Sequence, residues 1–586
     1  MRYTILIVLA SLPTILTAQV KPVISDDFNS NQNLWDVSSS KTIADGIYTI
    51  ITTSDGDESL ISRFIDPQKD FKLTAEFTST AGDCSYGLTW NNSDTDYNLF
   101  LISPSKEFVV YSGDPSQVKG WKKTDAVKSG QMNTLRIEKA TDKMSFFINN
   151  VKVDERKPTA TFGNWLGILI FDQGTVKIDN FSLLQDQQIN IPAQTNHIVR
   201  EDLGNAVNTS DDELGPIISS DGRTIFFDRQ NVTTNTGGVN DDEDVYSSRF
   251  EADQWSIAKN MGNMVNTPLA DNLVAVSADN NTLMFAKSNE LFVKHRTENG
   301  WSDFEKINIT IPNQSQFFVA SLSADNKAIV FSAKLHENLF HDNKRDECDL
   351  YVSTKDKSNK WSAPVNLGKV INTAGNETSP YLSADTKTLY FATDGRPGYG
   401  YQDIFYSKRL DDSWTSWSVP VNLGPEVNTP GFDAYYTVPA SGDNAYFVSQ
   451  GRSGKGDIFR IRLHDEAKPN PVTVVSGLVL SSKTKLPLSA RIHFENLTSG
   501  VEVGEARSDP KTGAYRIVLP FGTHYGIRAY LTDYYSVHEN IELKESDNKY
   551  SEVKKDLFMV PLQIGETIKL NNVFFEAGLP TLKSES

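Results

Sequence analysis

The sequence predicts an all-β chain of several domains, and three observations lead there. Helical periodicity is scarce along the 586 residues, while short alternating or wholly apolar runs recur between Gly, Asn, Asp and Pro. Residues 197–463 repeat themselves at about 45–60 residues, the length of a four-stranded sheet unit. A chain this long also exceeds one hydrophobic core, so roughly three to five domains are expected. The net charge of -18 opposes phosphate backbones and anionic surfaces, which argues against nucleic acid as a partner.

The opening "MRYTILIVLASLPTILTAQV" places Arg2 before an apolar run and a small-residue site at Ala18 and Gln19. Residues 1–18 therefore read as a secretory signal peptide cut between Ala18 and Gln19. A membrane anchor is the alternative, weakened by Pro13 and by the shortness of the run. No later stretch is apolar and long enough for a transmembrane segment. The two cysteines, Cys84 and Cys348, fall in different predicted domains and read as buried small hydrophobes.

Residues 22–185 contain "KLTAEFTS", "YGLTW", "YNLFLIS", "EFVVYS", "NTLRIEKA", "KMSFFINNVKV", "LGILIF" and "VKIDNFSLL". Such evenly spaced strands imply two packed antiparallel sheets, with a tight hairpin at Asn149 and Asn150. From "DDFNS" through "DNFSLL" the segment resembles the concanavalin-like jelly rolls of bacterial surface and sugar-active proteins. Residues 186–196 are polar, contain a proline, and read as a linker.

Three elements recur in residues 197–463. The first is a "VNT" motif centred on Asn208, Asn266, Asn372 and Asn428. The second is an S-x-D turn entering an apolar strand, with Asp221, Asp279, Asp325 and Asp385. The third is an acid entering the next strand: Asp244, Glu290, Asp349, Asp403 and Asp457. A tryptophan then opens a fourth strand at Trp255, Trp301, Trp361 and Trp417. This is the pattern of a β-propeller blade. The fifth acid has no tryptophan strand after it, whereas an unclaimed "VREDLGNAVNT" precedes the first blade. The N-terminal strand can thus complete the last blade, which predicts five blades; six fits if one has drifted, for instance where "VNT" gives way to "IPNQ". "LSADTKTLYFATDGRPGYGYQDIFYSKR" resembles the TolB-type or WD-like repeats of periplasmic proteins.

Residues 464–471 read as a second linker. Residues 472–562, with turns at Gly513 and Gly522 and the run "YGIRAYLTDYY", resemble the carboxypeptidase regulatory-like fold, a small β-sandwich without peptidase activity. Residues 563–586 include "LNNVFFEAGLPTLKSES", which resembles the start of an OmpA-like C-terminal domain. That resemblance implies non-covalent binding to peptidoglycan through residues beyond Ser586.

Patterns with catalytic or metal chemistry are few. His336 and His341 stand five apart, which turns them ~140° from each other on a helix and suits no shared metal. "NDDEDVY" (240–246) is acidic enough to attract calcium, but Asp244 is already accounted for as a blade acid. "GRSGKGD" (451–457) lacks the spacing and the helix of a phosphate loop. Neither an E-x-D-x-x-E run nor a G-x-S-x-G elbow occurs. Trp90 and Tyr97, flanking "NNSDTD", are the candidate glycan contacts. No catalytic residue, metal ligand or cofactor is expected.

Together these features are similar to cell-envelope proteins of the Bacteroidetes group. They imply a non-enzymatic scaffold or binding protein of the periplasm, associated with the outer membrane. Its propeller or jelly roll would meet other envelope proteins, and its OmpA-like part would meet peptidoglycan. The alternative is a secreted or cell-surface protein that binds or cleaves glycans through the jelly roll.

Overall fold

The structure is a computed structural model. It describes residues 22–563 apart from 54, 194–197, 316–317, 336–346, 357, 451–454, 522 and 544–548. The expected signal peptide, the two loop histidines, the Gly522 corner and the terminal "LNNVFF" stretch lie outside the described residues. Strand makes up 51% of the chain and helix 2%, so the all-β expectation holds. Contacts divide the chain into two units: residues up to 188 without 62–64, and residues 62–64 with 189 onward.

The first unit is a pair of antiparallel sheets of eight and six strands. Alternation along each strand sends one set of side chains inward. Leu73, Ala75 and Phe77 of Phe71–Gly82 and Leu135 and Ile137 of Asn133–Ala140 enter from the larger sheet. Tyr86, Leu88 and Trp90 of Ser85–Asn92 and Phe100 and Ile102 of Tyr97–Ser103 meet them from the smaller. Each such leucine, isoleucine or phenylalanine, fully buried, contributes about 1.5–3 kcal/mol. The hairpin at Asn149 and Asn150 has φ of 48° and 67°, the left-handed pair that a tight two-residue turn demands. Cys84 lies in this core, and both cysteines are buried.

The second unit contains five small antiparallel sheets in succession. Sheet one holds Glu213–Ile218, Thr224–Gln230 and Glu243–Glu251; sheet two holds Asn272–Val276, Thr282–Lys287 and Glu290–Thr297. Sheet three holds Val319–Leu322, Ala328–Ala333 and Asp349–Thr354; sheet four holds Glu377–Leu382, Thr388–Thr393 and Asp403–Lys408. Sheet five holds Asp433–Thr437, Asn444–Gln450 and Gly456–Arg462. The fourth strand of each is short. In sheet five it is Glu201–Asp202, paired with Gly456–Arg462 as the counting of motifs predicts.

Apolar clusters join the sheets pairwise: Leu283 and Phe226 join two to one, Phe331 and Met284 three to two, and Phe391 and Val330 four to three. Phe447 and Tyr390 join five to four, and Val448 and Phe227 join five to one. The first strands of all five sheets line one cavity of about 70 Å³.

The chain then forms two further sheets. Thr473–Ser481 pairs antiparallel with Ala514–Leu519 and parallel with Ser551–Lys554. Gly477 is required there, because a Cβ would stand 2.0 Å from the Lys555 carbonyl. The facing sheet runs in the order Val501–Arg507, Arg491–Asn496, Thr523–Tyr530, Val537–Leu543. Ile492, Phe494, Ile527 and Ala529 of this sheet and Tyr515 of the other form the core between them. No helix among the described residues is long and apolar enough to cross a membrane.

Candidate functional site

The recurring polar residues of the repeats are framework. Each "VNT" asparagine imitates a strand. Its Oδ1 accepts the N–H, and its Nδ2 meets the carbonyl, of the residue after a blade acid: Asn266 with Val245, Asn372 with Leu350, Asn428 with Ile404 and Asn208 with Ile458. The adjacent threonine bonds a wholly buried acid four residues on: Thr209 to Glu213, Thr267 to Asp271, Thr373 to Glu377 and Thr429 to Asp433. Sequence reasoning missed these acids, although "VNTSDDE", "VNTPLAD", "INTAGNE" and "VNTPGFD" carry the signal. Burial raises the carboxyl of Glu377 to about 8. Asp244, the blade acid of "NDDEDVY", accepts the Thr236 N–H and the Asn260 amide, each at 2.6 Å. No group of residues that could hold a metal ion occurs among the described residues.

The S-x-D turns do two things. One oxygen of each aspartate closes the turn: Asp279 accepts the Ser277 hydroxyl at 2.5 Å and the Asn281 N–H at 2.9 Å, and Asp221, Asp325 and Asp385 repeat the pattern. In three turns the second oxygen faces the C-terminal segment. Asp279 accepts the Arg507 N–H at 2.7 Å, Asp385 accepts the Asn470 N–H at 2.8 Å, and Asp221 pairs with the Arg516 guanidinium at 2.8 Å. The alanines Ala278, Ala324 and Ala384 of the same turns pack on Val472, Val474 and Val518. Residues 464–471 are part of this seat, since Ala467 is fully buried and its carbonyl accepts the Tyr390 hydroxyl at 2.5 Å.

Beside the seat is a cavity of about 220 Å³ between sheets two and three and the edge strand Val501–Arg507. Trp361 lines it, and the Lys355 ammonium stands 4.9 Å from that ring. Burial lowers the Lys355 pKa, against the opposing pull of the Glu505, Asp325 and Glu502 carboxylates. His295 also faces the cavity. Burial first, and the Arg507 cation second, lower it to about 4, so at neutral pH it is an uncharged ring with one N–H and one lone pair. The Lys327 ammonium is fixed on the Glu502 carbonyl. The wall is therefore an indole ring with convergent polar groups of both signs.

A second, open groove of about 370 Å³ shares Glu502 with this cavity. It lies on the outward face of the sandwich, where alternation turns His493, Glu495, Arg528 and Tyr530 away from the core. The Arg528 guanidinium pairs with Glu495 at 2.6 Å, the His493 Nδ1 is 3.2 Å from Glu502, and the Tyr530 ring, 41% exposed, meets His493 edge-on.

The two aromatic residues singled out in the sequence are not brought together. Trp90 is wholly buried in the inter-sheet core of the first unit, with its ring 5.9 Å from Phe146. Tyr97 lies on the opposite face of the same sheet, in a separate cluster with Leu99 and Leu101, and its hydroxyl donates to Glu58 at 3.3 Å. An open groove of about 520 Å³ in this unit is lined by Ile51, Thr52 and residues 81–83 and 172–175, without an aromatic ring.

No family model matches the chain, and no curated protein does. Among solved structures, TolB from Acinetobacter baumannii is similar at 10% identity over 44% of this chain and 56% of that one, with a TM-score of 0.28. A leech intramolecular trans-sialidase is similar at 9% identity over 72% and 98%, with a TM-score of 0.25. A laminarinase from Flavobacterium sp. UMI-01 is similar at 11% identity over 28% and 100%, with a TM-score of 0.22. Likeness at this level assigns neither activity nor ligand to this chain. The expectation of a non-enzymatic protein is corrected to an open one: a laminarinase and a trans-sialidase stand among the similar structures, and the missing E-x-D-x-x-E and G-x-S-x-G patterns do not exclude an enzyme.

Proposed function

We propose that this chain binds saccharides outside the cytoplasm, in the cavity between repeat sheets two and three and the C-terminal sandwich. The observation that supports the reading is the pairing of the Trp361 ring with His295, Lys355 and Arg507 in one recess. Sugar rings present C–H faces that suit an indole and hydroxyls that suit fixed polar groups, the usual composition of a small-ligand pocket. The architecture behind it is read as a five-bladed propeller. The apolar clusters that link five to one, and the Glu201–Asp202 strand completing sheet five, support that reading. Titration calorimetry against a saccharide panel tests the function. Binding is expected, and it should weaken at least about tenfold in Trp361→Ala, the loss of one buried aromatic contact. A panel without binders, or Trp361→Ala binding as the parent does, overturns the reading.

An envelope tether is the second reading, favoured by the resemblance of "LNNVFF" and "TLKSES" to the opening of OmpA-like domains. Co-sedimentation of the natural gene product with purified peptidoglycan tests it. A protein that stays in the supernatant ends it.

A further inference from the structure

We infer that the site continues from the junction cavity across Glu502 onto the outward face of the C-terminal sandwich, and that its ligand is a linear oligosaccharide of several units. The inference rests on the saccharide reading above. Three observations carry it.

The first is continuity. Glu502 belongs to both: its carbonyl holds Lys327 on the cavity side and its carboxylate meets His493 on the groove side, so a single residue forms the rim that the two share. The second is the placing of aromatic rings. Trp361 stands in the cavity and Tyr530 in the groove, two strands further along the sheet from Glu502. Neighbouring strands lie about 4.8 Å apart, which puts the Glu502 and Tyr530 strands about 10 Å apart. The register sets Tyr530 level with Arg491 and Glu502 level with Glu495, about 13 Å further along, so the two residues stand roughly 17 Å apart on a diagonal. That is the reach of about three sugar units beyond the one that fills the cavity. The third is rigidity of what lies between. Strand register sets His493 opposite Arg528 and Glu495 opposite Glu502, and the Arg528–Glu495 and His493–Glu502 contacts hold these side chains in place. Fixed carboxylates, an imidazole and a guanidinium offer donors and acceptors to sugar hydroxyls with little ordering entropy left to lose.

The sandwich is then half of the site, not an appendage. Its seat on the S-x-D turns fixes the distance from Trp361 to Tyr530, since Asp279 holds Arg507 and Asp221 holds Arg516.

The test is calorimetry on the whole chain with four probes: glucose, N-acetylglucosamine, β-1,4-linked tetra-N-acetylglucosamine and β-1,3-linked tetraglucose. One tetramer is expected to bind at least about tenfold more tightly than its own monomer, an aromatic subsite's worth of affinity. Tyr530→Ala should bring the two within about threefold while leaving the monomer unchanged, and Tyr530→Phe should restore the difference. Tyr530 is exposed, so neither variant removes core. Equal affinity for monomer and tetramer, or a tetramer preference untouched by Tyr530→Ala, overturns the inference while the cavity reading survives. Failure of all four probes, with wider panels also silent, takes both down.

Discussion

Asn208→Ala is the sharpest test of how the five repeat sheets hold together. The fourth strand of sheet five is only Glu201–Asp202, and its two residues pair with Arg460 and Phe459. Asn208 supplements it. Its Oδ1 accepts the Ile458 N–H at 2.9 Å and its Nδ2 donates to the Ile458 carbonyl at 2.9 Å, across a separation of 250 residues. Both residues are buried, so truncation leaves the Ile458 N–H dry and unmatched, while its carbonyl keeps the Leu203 N–H at 3.3 Å. Two lost bonds, one with a stranded donor, cost about 2–4 kcal/mol. Asn372→Ala removes the same pair of bonds from Leu350, at 2.8 and 3.1 Å, but over a separation of 22 residues. The two variants should therefore lose similar stability in urea, while only Asn208→Ala frees residues 201–208. Amide exchange at Ile458 should then accelerate in step with detachment of that strand. A stability loss below about 0.5 kcal/mol, or an unchanged exchange rate at Ile458, would refute the reasoning.

Three further outcomes follow from the same geometry. Burial raises the Glu377 carboxyl from 4.5 to about 8, so its contribution is fully present below pH 4.5 and lost as pH rises through 8. Glu377→Gln should flatten that decline, worth up to about 4–5 kcal/mol, in denaturation curves taken from pH 5 to 9; parallel curves for the two proteins would contradict it. Gly398→Ala would put a Cβ 1.6 Å from the Asp403 carboxylate, which holds the Tyr399 N–H, and should cost about 1–3 kcal/mol in thermal unfolding. Paired Ala278→Arg and Ala384→Arg changes should lift the sandwich from its seat on Val472, Val474 and Val518. Limited proteolysis would then cut within 464–472, and an unchanged digestion pattern would count against the seat.

The repeats were legible because a blade is local. Asn, Thr and turn Asp recur at one fixed step in three copies, and the Asn and the turn Asp bond backbone of their own or the adjacent sheet. Even the completing role of Glu201–Asp202 was visible, since a missing fourth strand at one end and an unclaimed one at the other must be matched. The hairpin at Asn149 and Asn150 was equally readable from the residue type that tolerates positive φ. Trp90 and Tyr97 misled because, along a strand, one step in register turns a side chain from one face to the other. Only the sheet pairing decides which faces the core.

The sequence by itself determined the all-β character, the repeat, and which residues close each turn, because these depend on contacts a few residues long or on a period that repetition exposes. Tertiary structure alone decided the seat and the site. His295, Trp361, Glu502 and Tyr530 come from four separate strands or turns, share no motif, and meet only because the sandwich rests on the S-x-D turns. The second oxygen of those aspartates and the faces of those alanines carry no signature in one dimension. Their partners, Arg507, Arg516 and Val474, lie more than a hundred residues beyond Ala278 and are chosen by shape and charge in space.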